Sequence, residues 1–201
     1  MFEYSRRREA EDFCGNIFDV ARRYLLGSYL CSNIGGEFTA GRITELEVYS
    51  GPEDKACHAY QNKNTNRTKT MFCRGGVAYV FFIYGMYNQF NVVTGKEGYP
   101  QAVLIRSLEP VAGTEIMQKR RKKEKLRDLT TGPGKLCQAL GITREYDNVS
   151  LTGNTLWISP AERFLSEDEI CASARIGIDY SEEYKDKLWR YTIKDNPFVS
   201  K

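Results

Sequence analysis

Residues 41–58 read Gly-Arg-Ile-Thr-Glu-Leu-Glu-Val-Tyr-Ser-Gly-Pro-Glu-Asp-Lys-Ala-Cys-His. Successive side chains of a strand point to opposite faces, and the alternation over residues 42–49 therefore predicts a half-buried strand. One face is expected to pack on a core and carries Thr44, Leu46 and Val48. The other face carries Ile43, Glu45, Glu47 and Tyr49. The Ser-Gly-Pro triplet at 50–52 ends the strand, because glycine and proline mark turns.

Two carboxylates share the second face of this strand. Residues two apart on a strand have Cα atoms about 6–7 Å from each other, so Glu45 and Glu47 are expected to be neighbours. His58, the only histidine of the chain, follows the turn. Because exposed carboxylates are common, a solvated strand face is enough to explain this stretch taken alone. A catalytic interpretation needs support from the rest of the chain.

Length and composition predict a single domain spanning residues 1–201. The chain is 41% hydrophobic and 27% charged, which is typical of a soluble globular protein. The first twenty residues contain no apolar signal-peptide core, and the longest apolar run, at 77–84, is far shorter than the roughly 18 residues of a membrane span. We therefore expect a protein of the cytoplasm or nucleoid, or of the nucleus in a eukaryote.

The cysteines predict neither a disulfide framework nor a metal site. Six cysteines are spread along the chain without a Cys-x-x-Cys pair, and one histidine cannot complete a Cys/His array. Free thiols in a reducing compartment are the expected state. We predict no metal and no cofactor, although carboxylates alone can bind magnesium or calcium.

Charge is unevenly distributed along the chain, although the net charge is only +3. Residues 119–127 contain seven basic side chains in nine, whereas residues 162–187 contain eight acidic against four basic side chains. Such asymmetry predicts one face for a polyanion and another face turned away from it. A solvated basic helix would explain the first run equally well.

A cluster of aromatic residues predicts an unusual hairpin. Residues 71–91 contain seven aromatic side chains, and their β-branched and aromatic composition predicts strands at 77–83 and 88–93 with a turn at Gly85. Tyr84 and Met86 would then lie at the tip, where side chains are normally polar. They are expected either to fold back into the core or to form an exposed wedge that enters a base stack.

Other segments complete the predicted set of elements. We expect an amphipathic helix over 9–26, a central strand over 101–108 that Glu109-Pro110 stops, and a basic helix from Thr114 through 119–127. A further helix is expected near 167–174. Gly-Pro-Gly-Lys-Leu at 132–136 opens a short helix, but it is not a Walker A loop because leucine replaces the required Ser/Thr.

Several of these motifs, taken together in chain order, resemble the alkyladenine (3-methyladenine) DNA glycosylase family. The motifs include residues 41–49, Gly-Pro-Glu-Asp at 51–54 with His58, Tyr-Val-Phe-Phe-Ile-Tyr-Gly-Met-Tyr at 79–87, Leu-Ile-Arg at 104–106 and Gly-Pro-Gly-Lys-Leu-Cys-Gln-Ala-Leu at 132–140. The resemblance runs from about residue 21 to 141 and resumes at 174–177 and 196–200. Several collinear motifs are far more specific than any one of them.

The resemblance implies an α/β fold of the α+β type, with an antiparallel β core and a protruding β-hairpin in one compact domain. It implies a monofunctional DNA glycosylase of base excision repair, without metal or lyase lysine. Such an enzyme acts as a monomer on duplex DNA. It flips out 3-methyladenine, 7-methylguanine, hypoxanthine or ethenoadenine and hydrolyses the N-glycosidic bond, leaving an abasic site.

The resemblance also implies roles for individual residues. Glu47 would activate the attacking water. The base pocket would be formed by Tyr49, His58, Phe81 and Asn91. DNA-contacting positions would be Tyr84, which fills the vacated stack, together with Met86, Arg67, Arg106 and Lys135.

The chain departs from the family pattern at a few positions, and two alternative functions stay open. Phe81 stands where the family usually has tyrosine, and Leu46 and Val48 replace the usual threonine and alanine. Gly75-Gly76 replaces the usual Pro-Gly, which is expected to add conformational freedom at the entry to the hairpin. A non-catalytic module that binds damaged DNA or RNA would keep the aromatic hairpin but would not need Glu47. A glycoside hydrolase would need two carboxylates converging from two elements, which adjacent positions on one strand provide poorly.

Overall fold

An eight-stranded antiparallel sheet forms the centre of the structure, a computed structural model that describes residues 4–83 and 85–200. The strands are β1 (Tyr29–Ile34), β2 (Glu37–Tyr49), β3 (Ala78–Ile83), β4 (Tyr87–Val93), β5 (Ala102–Ala112), β6 (Leu156–Ser159), β7 (Ile170–Ser173) and β8 (Arg190–Ile193). The main order is β3-β4-β5-β2-β1-β6, and β8 pairs with both β2 and β7. This arrangement confirms the mixed α/β fold with an antiparallel core in one compact domain.

Strand β2 is the longest strand and contacts three others. One edge pairs with β5, and the other edge pairs first with β1 at residues 37–42 and then with β8 at residues 45–47. Glu45 and Glu47 therefore lie inside the sheet, between β5 and β8. Both are fully buried, so the interpretation of this face as a solvated surface is wrong.

A bulge in β2 explains why one residue lies on an unexpected face. Between Ile43 and Glu45, β2 carries one more residue than β5, because Thr44 has no partner in the ladder. An extra residue of this kind reverses the alternation of the side chains. Ile43 therefore packs in the main core with Leu46 and Val48, and the prediction that it shares the face of Glu45 is wrong.

The helices are few and short. They are α1 (Ile17–Asp19), which continues as the π-helical segment Val20–Leu25, α2 (Thr114–Arg121), α3 (Leu126–Thr130) and α4 (Pro133–Leu140). The expected helix over 9–26 is interrupted, because the Asn16 side chain caps a new helix by accepting from the Phe18 amide. The basic helix is also split, since Lys122 adopts a left-handed conformation with φ 53°. Helix α4 begins within the 132–136 motif, as predicted, and Gly141 forms its C-cap.

Two further predictions about elements were wrong. Strand β5 continues through Glu109-Pro110 to Ala112, because Pro110 faces Gly41 at an irregular point of the ladder where its missing N–H matters less. A Cβ at Gly41 would lie 2.8 Å from Cβ of Leu108, so glycine permits this close pairing. The expected helix near 167–174 is instead a 3₁₀ turn, Glu167–Glu169, followed by β7.

A main hydrophobic core and two smaller clusters support the sheet. The main core contains apolar residues of β1, β2, β4, β5 and α4, whereas a smaller cluster forms around Cys57, Met71, Tyr79 and Phe81. The six cysteines are free thiols. Within residues 4–83 and 85–200, no helix is long and apolar enough to cross a membrane.

Candidate active site

A cavity of about 260 Å³ opens beside the second half of β2. Its walls come from β2, β3, β4 and β5 and from the loops around residues 56–58 and 176–180. The polar and aromatic side chains among its lining residues are Tyr49, His58, Tyr79, Phe81, Gln89, Asn91, Arg106 and Tyr180. Four predicted pocket residues, Tyr49, His58, Phe81 and Asn91, thus line one cavity.

Glu47 lies behind the wall of this cavity and contacts three of the residues that form it. Its Oε1 accepts the backbone N–H of Ile176 at 2.7 Å and lies 3.3 Å from Nη1 of Arg106. Its Oε2 accepts the hydroxyl of Tyr49 at 2.9 Å. A carboxylate can accept about four hydrogen bonds, so Oε2 retains a free lone pair with respect to the residues that the structure describes.

Glu45 accepts more hydrogen bonds than Glu47 and shares Arg106 with it. Its Oε1 accepts from Nε of Arg106 at 3.0 Å, from Nε of Arg190 at 2.7 Å and from the Ser200 hydroxyl at 2.9 Å, and its Oε2 accepts the Ser200 amide at 2.7 Å. Burial would raise the pKa of Glu45, but the Ser200 amide, Arg190 and Arg106 outweigh it and lower the pKa. These four hydrogen bonds and the lowered pKa keep Glu45 ionised and indicate a structural role.

Arg106 connects the two glutamates. It lies on β5, is 9% exposed, and contacts Glu45 through Nε and Glu47 through Nη1. Burial lowers the pKa of Arg106, but the charges of Glu47 and Glu45 reverse the effect and raise it. Its side chain also lines a second, more open cavity of about 460 Å³. One guanidinium therefore borders both the aromatic cavity and this second cavity.

The histidine is held as a neutral ring. Nη2 of Arg67 lies 3.2 Å from Nε2 of His58, and since arginine can only donate, Nε2 accepts. The proton then resides on Nδ1, which lies 3.0 Å from the Tyr79 hydroxyl and donates to it. Burial first, and the charge of Arg67 second, lower the pKa of His58 to about 4.

Aromatic rings form one end of the cavity. The His58 and Phe81 rings meet edge to face with centroids 4.6 Å apart, and the Arg67 guanidinium lies 5.0 Å above the Phe81 ring. Asn91 donates from Nδ2 to the Tyr79 carbonyl at 3.1 Å. Burial raises the pKa of Tyr49 well above its ordinary value, and the charge of Glu47 raises it further, so the hydroxyl keeps its proton.

The remaining predicted DNA-contacting residues lie outside the aromatic cavity. Lys135 is exposed at the start of α4 and lines the second cavity together with Arg106 and Arg127. Met86 is 66% exposed at the tip of the β3–β4 hairpin, next to Gly85 with φ 66°. Tyr84 lies outside the residues that the structure describes.

Residues from the last third of the chain complete the site, and the sequence analysis gave none of them a role. Arg175 and Ile176 lie between β7 and β8, whereas Arg190 lies on β8 and Ser200 follows it. The resemblance at 174–177 and 196–200 marked two of these segments. It could not show that Ile176 and Ser200 supply backbone donors to Glu47 and Glu45.

In the part of the chain covered by the structure, no group of three or more His, Cys, Asp and Glu residues could hold a metal ion.

The sequence model of the methylpurine-DNA glycosylase family matches residues 11–197. The chain belongs to this family. The methylpurine-DNA glycosylase match includes every element that lines the aromatic cavity and ends three residues before Ser200.

Curated relatives of this glycosylase agree with the family match. A protein of Natranaerobius thermophilus is 47% identical over 184 residues, covering 88% of this chain and 90% of its own length. A protein of Bacillus cereus strain AH820 is 47% identical over 196 residues, covering 93% and 95%, and one of Bacillus cytotoxicus is 46% identical, covering 93% and 96%. Each is named "Putative 3-methyladenine DNA glycosylase".

Family and relatives together identify this chain as an enzyme that acts on DNA, a 3-methyladenine DNA glycosylase. A non-catalytic binding module and a glycoside hydrolase are therefore set aside.

Proposed function

We propose that this glycosylase hydrolyses the N-glycosidic bond of an alkylated or deaminated purine with a water that Glu47 activates. The target base would be flipped from duplex DNA into the aromatic cavity, because its glycosidic bond is inaccessible inside the helix. The observation that carries this proposal is the position of Glu47, a buried carboxylate behind the cavity wall with a free lone pair on Oε2. We expect the enzyme to act as a monomer, in the nucleoid.

Charge supports the choice of Glu47 over Glu45. Water attack on the sugar passes through a centre that resembles an oxocarbenium ion, which a nearby carboxylate stabilises while it accepts the proton of the water. Glu45 accepts four hydrogen bonds from Arg106, Arg190 and Ser200, and the two guanidinium groups offset its charge. Among the described residues, Glu47 has one ion pair, to Arg106 at 3.3 Å, so more of its charge is available for both tasks.

The cavity suits 3-methyladenine and 7-methylguanine best among the proposed substrates. These bases carry a positive charge, and aromatic faces attract cations by roughly 1–2 kcal/mol in a desolvated site. Tyr49 and Phe81 line the cavity, with Arg175 4.8 Å from the Tyr49 ring and Arg67 5.0 Å from the Phe81 ring, so a cationic base would bind against the ring surfaces that these guanidinium groups leave open. His58 adds no further positive charge, because its pKa of about 4 keeps it neutral at pH 7. Hypoxanthine and ethenoadenine are neutral and would be held mainly by stacking and by polar groups such as Asn91.

Replacing Glu47 tests the catalytic role. Glu47→Gln keeps the size and the acceptor oxygen of the side chain but removes the base, so single-turnover excision of 7-methylguanine should fall by roughly 10²–10⁴-fold while lesion DNA still binds. Glu45→Gln is the matched control on the same strand. It should lower stability, because Arg106 and Arg190 lose their counter-charge, and it should reduce the rate per folded molecule much less. Equal rates for both variants would show that Glu47 is not the base.

A further inference from the structure

One donor to Glu47 comes from a segment that has no regular secondary structure. Residues 174–178 lie between β7 and the 3₁₀ turn Glu182–Asp186 and form neither helix nor strand. The amide of Ile176 nevertheless donates to Oε1 of Glu47 at 2.7 Å. A hydrogen bond of that length requires a fixed backbone, so other contacts must hold this segment in place.

Arg175, the residue before this amide, is the anchor. Its side chain has no exposed surface, and its guanidinium donates to both oxygens of Asp54 at 2.5 and 2.9 Å. It also donates to the carbonyl oxygens of Val48 at 2.9 Å and of Tyr184 at 3.3 Å. A two-pronged, fully buried ion pair of this kind fixes orientation as well as position.

The partner of Arg175 belongs to the loop that leads to the cavity residues Ala56 and His58. Asp54 lies on the loop between β2 and His58 and accepts the backbone N–H of Ala56 at 3.0 Å and that of Ser50 at 3.3 Å. The ion pair therefore ties the loop that leads to His58 to the segment that carries Ile176. One ion pair thus joins two segments that both contribute residues to the cavity lining.

The same guanidinium also touches the second donor to Glu47. It lies 4.8 Å above the Tyr49 ring and 5.0 Å from the Trp189 ring. The Tyr49 hydroxyl donates to Oε2 of Glu47 at 2.9 Å. One buried side chain thus supports the donors to both oxygens of the carboxylate, on two different elements.

We propose that Arg175 is the positioning residue for Glu47 and acts through the Ile176 amide and the Tyr49 hydroxyl. The inference rests on the proposed role of Glu47 as the base. Arg175 does not line the cavity, so it has no direct contact with a flipped base. Lysine cannot replace it, because an ammonium group lacks the planar fork that binds both Asp54 oxygens and packs on the Tyr49 ring.

Nuclear magnetic resonance of the DNA-free protein tests the structural step. In the wild type, the Ile176 amide proton should be shifted downfield and protected from exchange, and Arg175→Lys should remove both properties. Asp54→Asn, which keeps the arginine, should produce the same change in a milder form if Arg175 variants fold poorly. Arg8→Lys is the matched control, since Arg8 is also buried, lies 5.1 Å from the Tyr24 ring and faces Asp12, away from the cavity. An unchanged Ile176 resonance in folded Arg175→Lys and Asp54→Asn would overturn the proposal.

A double-mutant cycle tests the step from position to rate. Arg175→Lys should slow single-turnover excision of 7-methylguanine, per folded molecule, by about 10–100-fold with lesion affinity retained, since small displacements of a catalytic group cost this much. In the Glu47→Gln background the same change should cost less than about threefold, because the residue through which it acts is gone. Equal losses in both backgrounds would contradict the proposal. Unimpaired excision by Glu47→Gln alone would instead refute the proposed function, and the Ile176 resonance would still report on Arg175.

Discussion

At the scale of single residues, His58 should make stability depend on pH. Its pKa is about 4 in the folded protein and about 6.5 in an unfolded chain. The unfolded state therefore binds more protons as the pH falls from about 6.5 to 4, so folded stability should decrease in this window by on the order of 2–3 kcal/mol. Urea unfolding at pH 7 and pH 4.5 measures the effect.

The control for this prediction is His58→Gln. The chain has one histidine, so the variant removes the only group of this type, whereas the carboxylates titrate alike in both proteins. The loss of unfolding free energy between pH 7 and 4.5 should be smaller in the variant. Parallel losses in the two proteins would mean that His58 is not held neutral.

Local sequence patterns were sufficient to predict part of the site. Alternation alone predicted that Glu47 and Tyr49 share one strand face. Tyr49 lines the cavity, and its hydroxyl donates to Glu47. The burial of that face was not predicted, because it depends on β5 and β8, which pair with β2 from far along the chain. Arg175 was given no role because its partner Asp54 is 121 residues away, and no local pattern encodes such a pair.

At the scale of elements, the β3–β4 hairpin makes the clearest prediction. Met86 is 66% exposed, so Met86→Ala should change the free energy of unfolding by less than about 0.5 kcal/mol. If the tip enters DNA, the same change should weaken binding of lesion duplexes by roughly 1–2 kcal/mol, about tenfold in Kd, through lost apolar contact.

Phe90→Ala on the returning strand is the comparison for Met86→Ala. Phe90 has no exposed surface, and its loss should cost roughly 3–5 kcal/mol of stability, measured by chemical denaturation. A marked stability loss in Met86→Ala, or unchanged DNA affinity, would argue against a DNA-contacting tip.

The approach to this hairpin differs from what the sequence suggested. Gly75-Gly76 in place of Pro-Gly was expected to add conformational freedom. In the structure the Gly75 amide donates to the Gly95 carbonyl at 2.9 Å, and the Gly76 amide donates to that of Val93 at 3.0 Å. A Cβ at Gly75 would lie 2.5 Å from the Phe13 carbonyl oxygen, so a proline would both clash and remove a donor. The glycines permit close packing, which sequence composition alone could not reveal.

Prediction was most successful for elements defined by local signals. β-Branched and aromatic composition with a turn glycine was sufficient for β3 and β4, and the Gly-Pro-Gly motif was sufficient for α4. The chain from 9 to 26, in contrast, keeps a helical pattern across the break at Asn16. Strand β5 passes through Pro110 because its neighbour on β2 is a glycine. Features of this kind depend on the pairing partner, and one strand's sequence does not contain them.

At the scale of the whole molecule, the affinity for DNA should depend on salt through exposed lysines. Lys135 lines the second cavity beside Arg106 and Arg127, where it could contact a DNA phosphate. Each phosphate contact that is lost should lower the slope of log Kd against log salt concentration by about 0.9. Lys135→Ala should therefore reduce the slope by about one unit. Binding titrations of duplex DNA between 50 and 200 mM salt, roughly the range where such slopes are steep, measure it.

Lys185→Ala provides the matched control, because Lys185 is an exposed lysine in the acidic segment 162–187. Part of that segment is already neutralised by ion pairs, which are Arg22–Glu167, Arg163–Glu169, Lys55–Glu182 and Lys55–Glu183. The Lys185 variant should keep the salt slope of the wild type. Equal slopes for all three proteins would mean that Lys135 contacts no phosphate.

The ligands of Glu45 have a consequence for the order in which the protein becomes functional during its synthesis. Arg106 follows Glu45 by 61 residues, Arg190 by 145 and Ser200 by 155. A nascent chain in which β1 to β5 have left the ribosome could pair these strands. It would then bury Glu45 with only one of its three partners. A poorly compensated buried charge costs several kcal/mol. The centre of the sheet is therefore expected to close only after residue 200 has left the ribosome, so that no partly made chain carries a working site.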